Sequence, residues 1–437
     1  MKLANPFAFF ARNKPARFTE PGATICGLRL SRHALCSNTL ITGGVGSGKS
    51  SAGLLPAVTA LLGPAAPTSL EVAGGLFLES KPCMCPFIEN LTASTQRNAA
   101  VLLISPGKGS VRFNLINPEA VPGQAGAEAW DLVRSRWSGE PKPDPFFDDL
   151  GRALLSYGIE GLRMTRPNDE VTVADLFQLA SDDAVNGLVA MLPQTESFGV
   201  RDFYTRWLAS WPTATKATVY ESIRATFAPF ATDPKLRQQF CAHTNFSFRD
   251  CSEKNLRVLF HSDPEYYEVG SVVGMALKQR FLSMASARVS SAVGSGRLPL
   301  LVLAMDEAHQ FLDDRSDLEW LVLTRAMRVV CLAASHSEAW FKARLGPDQS
   351  TVLLSQFGNR VWFANSDTET NVVASETCGN KLTGIRRWVS GGSPGPGAQL
   401  RYESKDFAGL DLCESVAWSF ENDQCVRQTN RPLPTLT

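Results

Sequence analysis

The segment Gly43-Gly44-Val45-Gly46-Ser47-Gly48-Lys49-Ser50 constrains the fold more than any other part of this 437-residue chain. Its spacing, Gly, four residues, then Gly-Lys-Ser, is that of a phosphate-binding loop. Ahead of it, Asn38 to Thr42 is a short apolar, β-branched run that predicts a strand. After it, Ser51 to Leu62 predicts a helix with a potential kink at Pro56. In that order the three pieces form a nucleotide cradle. Glycines let successive backbone N–H groups curl around phosphates, and the helix N-terminus adds partial positive charge. Gly43, Gly44, Val45, Gly46, Ser47, Gly48, Lys49, Ser50 and Ser51 are therefore the candidate nucleotide-binding set. Lys49 is expected to reach the β- and γ-phosphates of ATP and the Ser50 hydroxyl to hold Mg²⁺.

A chain of this length exceeds one ordinary hydrophobic core, so two domains, or one domain with a large insertion, are expected. Apolar residues make up 44% and charged residues 20%, the balance of a globular protein rather than a disordered one. Lys+Arg and Asp+Glu are equal at 43 each, so no global field attracts nucleic acid. Any DNA path must then be a local basic strip or a pore lining. The ten cysteines contain no C-x-x-C pair; Cys83 and Cys85 are the only close pair, a poor zinc signature. Reduced, mostly buried thiols are the expectation. No run of eighteen apolar residues occurs, so no transmembrane helix is predicted. The N-terminal stretch with Phe7, Phe9 and Phe10 lacks the apolar core of a signal peptide. These readings predict a cytoplasmic chain, with peripheral docking at the inner face of the cell membrane as the alternative.

Gly75 to Glu79 reads as a buried strand, 84–97 as a helix, and Ala99 to Ile104 as a second strand, so a parallel sheet covered on both faces is expected. Residues 119–145, rich in Pro, Gly and charge, read as a linker. From Phe146 to about Phe240 apolar residues recur at helical spacing with no strand pattern, predicting an all-α insertion. The α/β pattern resumes at Leu256 to Phe260 and continues through a helix from Gly270 to Ala287 and a Gly/Ser-rich loop at 290–296. The expected organisation is a 1–36 N-terminal segment, a nucleotide-binding domain in two parts (37–145 and 246–437), and the insertion at 146–245. Gly391 to Gly397 reads as a surface loop.

The second landmark is the apolar run Leu300 to Met305, entered through Pro299 and ending in Asp306-Glu307. Mg-ATP chemistry needs acids at such a strand end. Asp306 would complete the Mg²⁺ shell, and Glu307 would polarise the attacking water. Further on, Arg325 precedes a strand from Val329 to Ala334 that ends in Ser335-His336-Ser337. An arginine of a neighbouring subunit can neutralise charge on a transferring phosphoryl group, and a polar residue on the adjacent strand tip can sense the γ-phosphate. Arg325 and His336 are in sequence positions for those tasks. The plain alternative is a surface arginine and a satisfied strand-end histidine.

The order of these pieces resembles the TraG/TraD-type coupling ATPases of conjugative type IV secretion systems, relatives of the FtsK and HerA DNA motors. The likeness is carried by the P-loop, by Glu79-Ser80-Lys81 at a strand end, and by Arg97 with Phe113-Asn114-Leu115-Ile116-Asn117-Pro118. It continues through Thr218 to Arg237, Asp306-Glu307-Ala308-His309, Arg325 with the strand to His336, Asn365 through Gly379, and Tyr402 to Pro434. The resemblance implies a RecA-like α/β P-loop NTPase with a mainly parallel sheet and an all-α insertion domain. It further implies a hexameric ring that passes DNA, single- or double-stranded, with ATP and Mg²⁺ as cofactors. Relaxase or the relaxosome and type IV secretion components would be its partners, Arg325 a trans-acting finger and His336 a sensor.

Three departures stand out. No membrane-spanning segment precedes the P-loop, His336 stands where the family has Gln, and Glu79 where it has Asp. An imidazole at position 336 predicts activity that varies with pH between about 6 and 8. Two other readings stay open: a cytosolic DNA motor without a secretion channel, and a nucleotide-switched adaptor that recruits relaxase or protein cargo. Arg386 and Arg387 beside Trp388 form a basic-aromatic patch suited to nucleic acid, a solvated loop being the plainer reading.

Overall fold

A computed structural model describes residues 22–95, 99–136, 145–194, 197–291, 298–313, 315–382, 398–421 and 424–433. Phe7, Phe9, Phe10, Arg97, the Arg386-Arg387-Trp388 patch, the 391–397 loop and Pro434 lie outside the described residues.

Strands β1 (Ala23–Ile25) and β2 (Leu28–Leu30) form a hairpin. The main sheet is built from β3 (Thr39–Thr42), β4 (Val72–Glu79), β5 (Val101–Ile104), β6 (Arg257–His261), β7 (Leu300–Met305), β8 (Val329–Ser335) and β9 (Asn359–Phe363). A small pair, β10 (Asn380–Leu382) and β11 (Ala398–Leu400), precedes β12 (Glu414–Ser419) and β13 (Gln424–Thr429). The nine strands of the main sheet run in the order β13-β12-β9-β3-β8-β7-β4-β6-β5. Neighbours from β9 to β5 are parallel, while β12 pairs antiparallel with both β9 and β13.

The continuous apolar runs are explained by burial on both faces. In β7, Leu301, Leu303 and Met305 enter one core and Leu300, Val302 and Ala304 the other. In β8 the split repeats, Val329, Cys331 and Ala333 against Val330, Leu332 and Ala334. Side chains alternate faces at period two, so a strand between two layers has no polar face to show. One core is closed by the helix after the P-loop through Leu54, Leu55, Val58 and Leu61. The other runs under the helix Tyr267–Ser291 and continues into the helices between β5 and β6, through Trp130, Leu154, Phe227 and Phe240.

Those helices are the long Pro145–Thr165 and Thr213–Thr232 with shorter ones between and after them; among the described residues no named strand lies between Ile104 and Arg257. The stretch expected as a linker differs. It contains the helix Pro122–Arg134, with Ala125, Ala129, Trp130, Leu132 and Val133 buried against Pro145–Thr165. Pro122 opens that helix at a position where its missing N–H costs nothing. Trp130 Nε1 donates to Asp148 at 3.1 Å, and Arg152 pairs with Asp131 at 2.8 Å. The Pro and Gly there begin a helix instead of breaking one. The kink anticipated at Pro56 is also absorbed. The helix opens as a π-type turn over Lys49–Leu54 and becomes α-helical from Leu55 to Leu62. In that wider register Leu55 N–H bonds the Ser50 carbonyl, so the chain reaches Pro56 already on the new turn.

Candidate functional site

The P-loop sits at the C-terminal end of β3, whose neighbour β8 separates it from β7. Three adjacent parallel strands therefore deliver residues 43–50, 306–307 and 335–337 to one edge of the sheet, where open α/β sheets bind ligands. Gly48 has φ +94°, and a Cβ there would meet Cys413 Sγ at 2.8 Å. Gly43 is walled by Ser47 and Phe363. Behind the loop, Cys413 N–H bonds the Ser47 carbonyl and Leu433 N–H the Ser51 carbonyl, so the chain near β12 and β13 braces the cradle. Gly44 N–H is anchored on Ala364 O at 2.8 Å. Val45 projects outward, 85% exposed.

Lys49 is buried and faces both Glu307 Oε1, at 3.4 Å, and His336 Nδ1, at 3.1 Å. His336 Nε2 in turn lies 3.1 Å from the same Glu307 oxygen. Ser50 Oγ donates to both carboxylate oxygens of Asp306 at 3.2 Å. Lys49, Ser50, Asp306, Glu307 and His336 are thus one cluster. Glu307 occupies a left-handed backbone conformation, φ +56°, a strained setting for a non-glycine residue and one that clusters at working sites. Its Oε2 is buried without a hydrogen-bond partner.

Arg325 does not join the cluster. It lies at the exposed end of the helix Ser316–Met327, with its guanidinium 3.0 Å from His33 Nε2. Beside it Val322 and Leu323 are 59% and 43% exposed.

Sequence reasoning left four residues out of the candidate set. Lys81 is exposed, with its ammonium 3.9 Å from Glu307 Oε1. His309 stands 3.7 Å from Glu307 Oε2 and 3.0 Å from Ser335 Oγ, and its ring stacks on Trp340 at 5.0 Å. Asn365 donates to the His336 carbonyl at 2.7 Å and so holds that strand tip. For His309 a signal existed, two residues beyond Glu307, and Lys81 and Asn365 stood in segments that carry the family resemblance; for Trp340 there was none. Glu79 accepts backbone N–H groups from Cys83, Met84 and Cys85, satisfying the start of the helix Met84–Ser94. Burial raises its carboxyl, and those amides work against the rise.

Burial pushes Asp306 up, and the neighbouring Glu307 charge adds to it. Two adjacent carboxylates beside a hydroxyl, under a lysine, fit a divalent cation that keeps several waters and takes few protein ligands. Ser50 and Asp306 are the residues that would hold it; among the described residues no group of three or more His, Cys, Asp or Glu is arranged to hold a metal ion. All ten cysteines are free thiols.

The pH window expected for His336 changes. Burial first, then the Lys49 and Lys81 charges, hold its pKa below the ordinary 6.5. The ring is therefore neutral through the neutral range, and protonation sets in only under acid conditions. Hydrolysis is expected to be flat from about pH 7 to 8 and to fall as pH drops below that ordinary value. His336→Gln should remove the acid-side fall attributable to this ring. A slope between pH 7 and 8 that His336→Gln abolishes would contradict this.

No curated protein is significantly similar to the chain. Among solved structures, the bacterial conjugative coupling protein TrwB without its first 70 residues superposes with a TM-score of 0.69 at 16% identity, over 95% of this chain and 90% of that one. Plasmid coupling protein TrwB in complex with ADP and Mg²⁺ gives 0.68 at the same identity and coverage. VirB4 of Thermoanaerobacter pseudethanolicus gives 0.52 at 12% identity, over 91% of this chain and 90% of that one. These show a shared fold, a P-loop α/β domain with a helical part. No described helix is long and apolar enough to cross a membrane. The profile of the type IV secretion-system coupling protein DNA-binding domain matches residues 123–397, more than half of the sequence. With the P-loop site completed by the acidic end of β7, the chain belongs to the family of type IV secretion-system coupling proteins.

Proposed function

We propose that the protein is a coupling ATPase that hydrolyses Mg-ATP to move DNA toward a type IV secretion channel, and that it works as a homo-hexameric ring. The observation that supports hydrolysis is the cluster at the ends of β3, β7 and β8. Lys49 turns to the β- and γ-phosphates, Ser50 and Asp306 hold Mg²⁺, and Glu307 orients the attacking water. His336 reads the γ-phosphate with a neutral ring. The cation supplies charge neutralisation on the phosphates. Glu307 leaves its contacts with Lys49 and His336 as those two groups turn to nucleotide.

Arg325 acts in trans on the neighbouring protomer's nucleotide. In favour of that reading are its contact with His33 instead of its own protomer's cluster, its exposure, and the apolar Val322 and Leu323 beside it. Val45, in the P-loop, and Leu412, next to the residue that braces it, are exposed as well, and two unlike apolar patches on one chain suit head-to-tail association. The helices from Pro122 to Phe240 form the unit that faces relaxase or the relaxosome, and the sheet with its flanking helices forms the motor. The protein works in the cytoplasm, at the inner face of the cell membrane.

The test is ATP hydrolysis over a range of protein concentration, with and without single- and double-stranded DNA, and Lys49→Ala as the blank. Turnover per protomer should rise with concentration and be stimulated by DNA. Slow turnover indifferent to both would replace the motor with a nucleotide-switched adaptor.

A further inference from the structure

We propose that His33 is a positioning residue for hydrolysis: it holds the Arg325 guanidinium in the pose from which it reaches the neighbouring protomer's nucleotide. The inference rests on the reading of Arg325 as a trans-acting group. An exposed arginine left free spreads over many rotamers, and ordering it on engagement costs free energy. The structure places His33 Nε2 3.0 Å from Arg325 Nη1. A guanidinium only donates, so in this contact His33 accepts through Nε2.

The holder is itself rigidly mounted. His33 lies in the short helix Arg32–Leu35, whose Ser31 cap accepts from Ala34 N–H at 3.1 Å. Arg32, next to it, is buried and bonds Glu71 Oε2 and the Leu298 carbonyl, each at 3.1 Å. Ala34, Leu35 and Cys36 are buried in the core beneath the P-loop helix. The arginine's helix is fastened to the same stretch: Thr324 Oγ1 donates to the Cys36 carbonyl at 3.4 Å and to Leu321 O at 2.8 Å, and Asn38 Nδ2 donates to Leu321 O at 3.0 Å. Asn38 leads directly into β3 and the P-loop. Each protomer's arginine for its neighbour is thus mounted on the approach to its own nucleotide loop.

The experiment is steady-state ATP hydrolysis by the full chain, at a protein concentration where turnover per protomer no longer rises. His33→Ala, His33→Gln, Arg325→Ala and the His33→Ala/Arg325→Ala double variant are compared, each with its melting temperature. His33→Ala should lower kcat about tenfold with KM for ATP unchanged, less than the roughly 10³-fold loss of removing an arginine finger. His33→Gln, whose amide oxygen also accepts, should recover most of that loss. The double variant should be no slower than Arg325→Ala alone, because the two residues act through one group. His33→Ala at wild-type kcat, or His33→Gln as slow as His33→Ala, with Arg325→Ala slow, overturns the role of His33 alone. Arg325→Ala at wild-type kcat overturns the trans-acting reading and this inference with it. A slow His33→Ala whose melting temperature has collapsed, with His33→Gln equally unstable, makes the contact structural and also overturns it.

Discussion

Glu307→Gln is expected to keep ATP binding within about threefold of wild type and to lower turnover by about 10³-fold, in the range that loss of a general base or water-orienting carboxylate costs. The amide has the same shape and still accepts through Oε1, where Lys49 and His336 converge at 3.4 Å and 3.1 Å. What disappears is the negative charge and the unpartnered Oε2, the acceptor available to a water. Because Glu307 is buried and its backbone is held at φ +56°, the amide cannot swing out to solvent without moving the strand end. Lys49→Ala removes the proposed phosphate contact and should lose binding as well as turnover. Binding measured with a fluorescent ATP analogue and single-turnover hydrolysis separate the two. A Glu307→Gln protein that turns over within tenfold of wild type would remove Glu307 from the chemistry.

The second large effect concerns stability. Lys278 is fully buried on the helix Tyr267–Ser291, where its ammonium meets the Asp317 carboxylate and the Phe311 carbonyl, with Asp313 Oδ2 at 3.8 Å. Asp317 also accepts the Asp313 N–H at 2.6 Å, and Asp313 accepts from Arg315 and Ser316. Burial lifts Asp317 above the ordinary carboxyl range, with Lys278 working against the rise. For Asp313, burial is outweighed by Lys278 and the three local donors, which hold it low. Lys278→Met leaves two carboxylates buried without their cation and should cost about 3–5 kcal/mol, the size of breaking a buried pair from one side. Adding Asp317→Asn removes one stranded charge while keeping the acceptor for Asp313, and should restore more than half of the loss. Urea unfolding of the wild type and both variants reads the difference. A single variant within 1 kcal/mol of wild type would mean that water or rearrangement already satisfies the carboxylates.

What could be read from the sequence follows from how local each signal is. Gly43 to Ser50 is legible because a loop that wraps phosphates needs glycines at fixed spacing, whatever packs behind it. Asp306 and Glu307 are legible because an apolar strand must end before two charges can be placed. The strands β7 and β8 were visible as continuous apolar runs, and only packing divides each between two cores. The helix Pro122–Arg134 was missed because Pro and Gly were read as breakers, whereas Pro122 sits where a helix start tolerates it. Lys278 gave no sign of burial: a lysine on a long helix reads as solvated, and its partners lie beyond residue 310. The meeting of His33 with Arg325 was equally hidden, since residues far apart in the chain become neighbours only once β3 and β8 pair.

The brace behind the P-loop sets a timetable for synthesis. Gly48 leans on Cys413, and the Ser51 carbonyl takes its bond from Leu433, both made long after the loop itself. At about 5–20 residues per second, a ribosome needs on the order of 20–70 s to get from Ser50 to Cys413. Throughout that interval the nascent glycine loop lacks its back wall, and a chain stalled before β12 would hold every candidate nucleotide-binding residue yet not the brace behind the loop. Completion of the phosphate cradle is thereby deferred until β12 and the segment reaching Leu433 have been made.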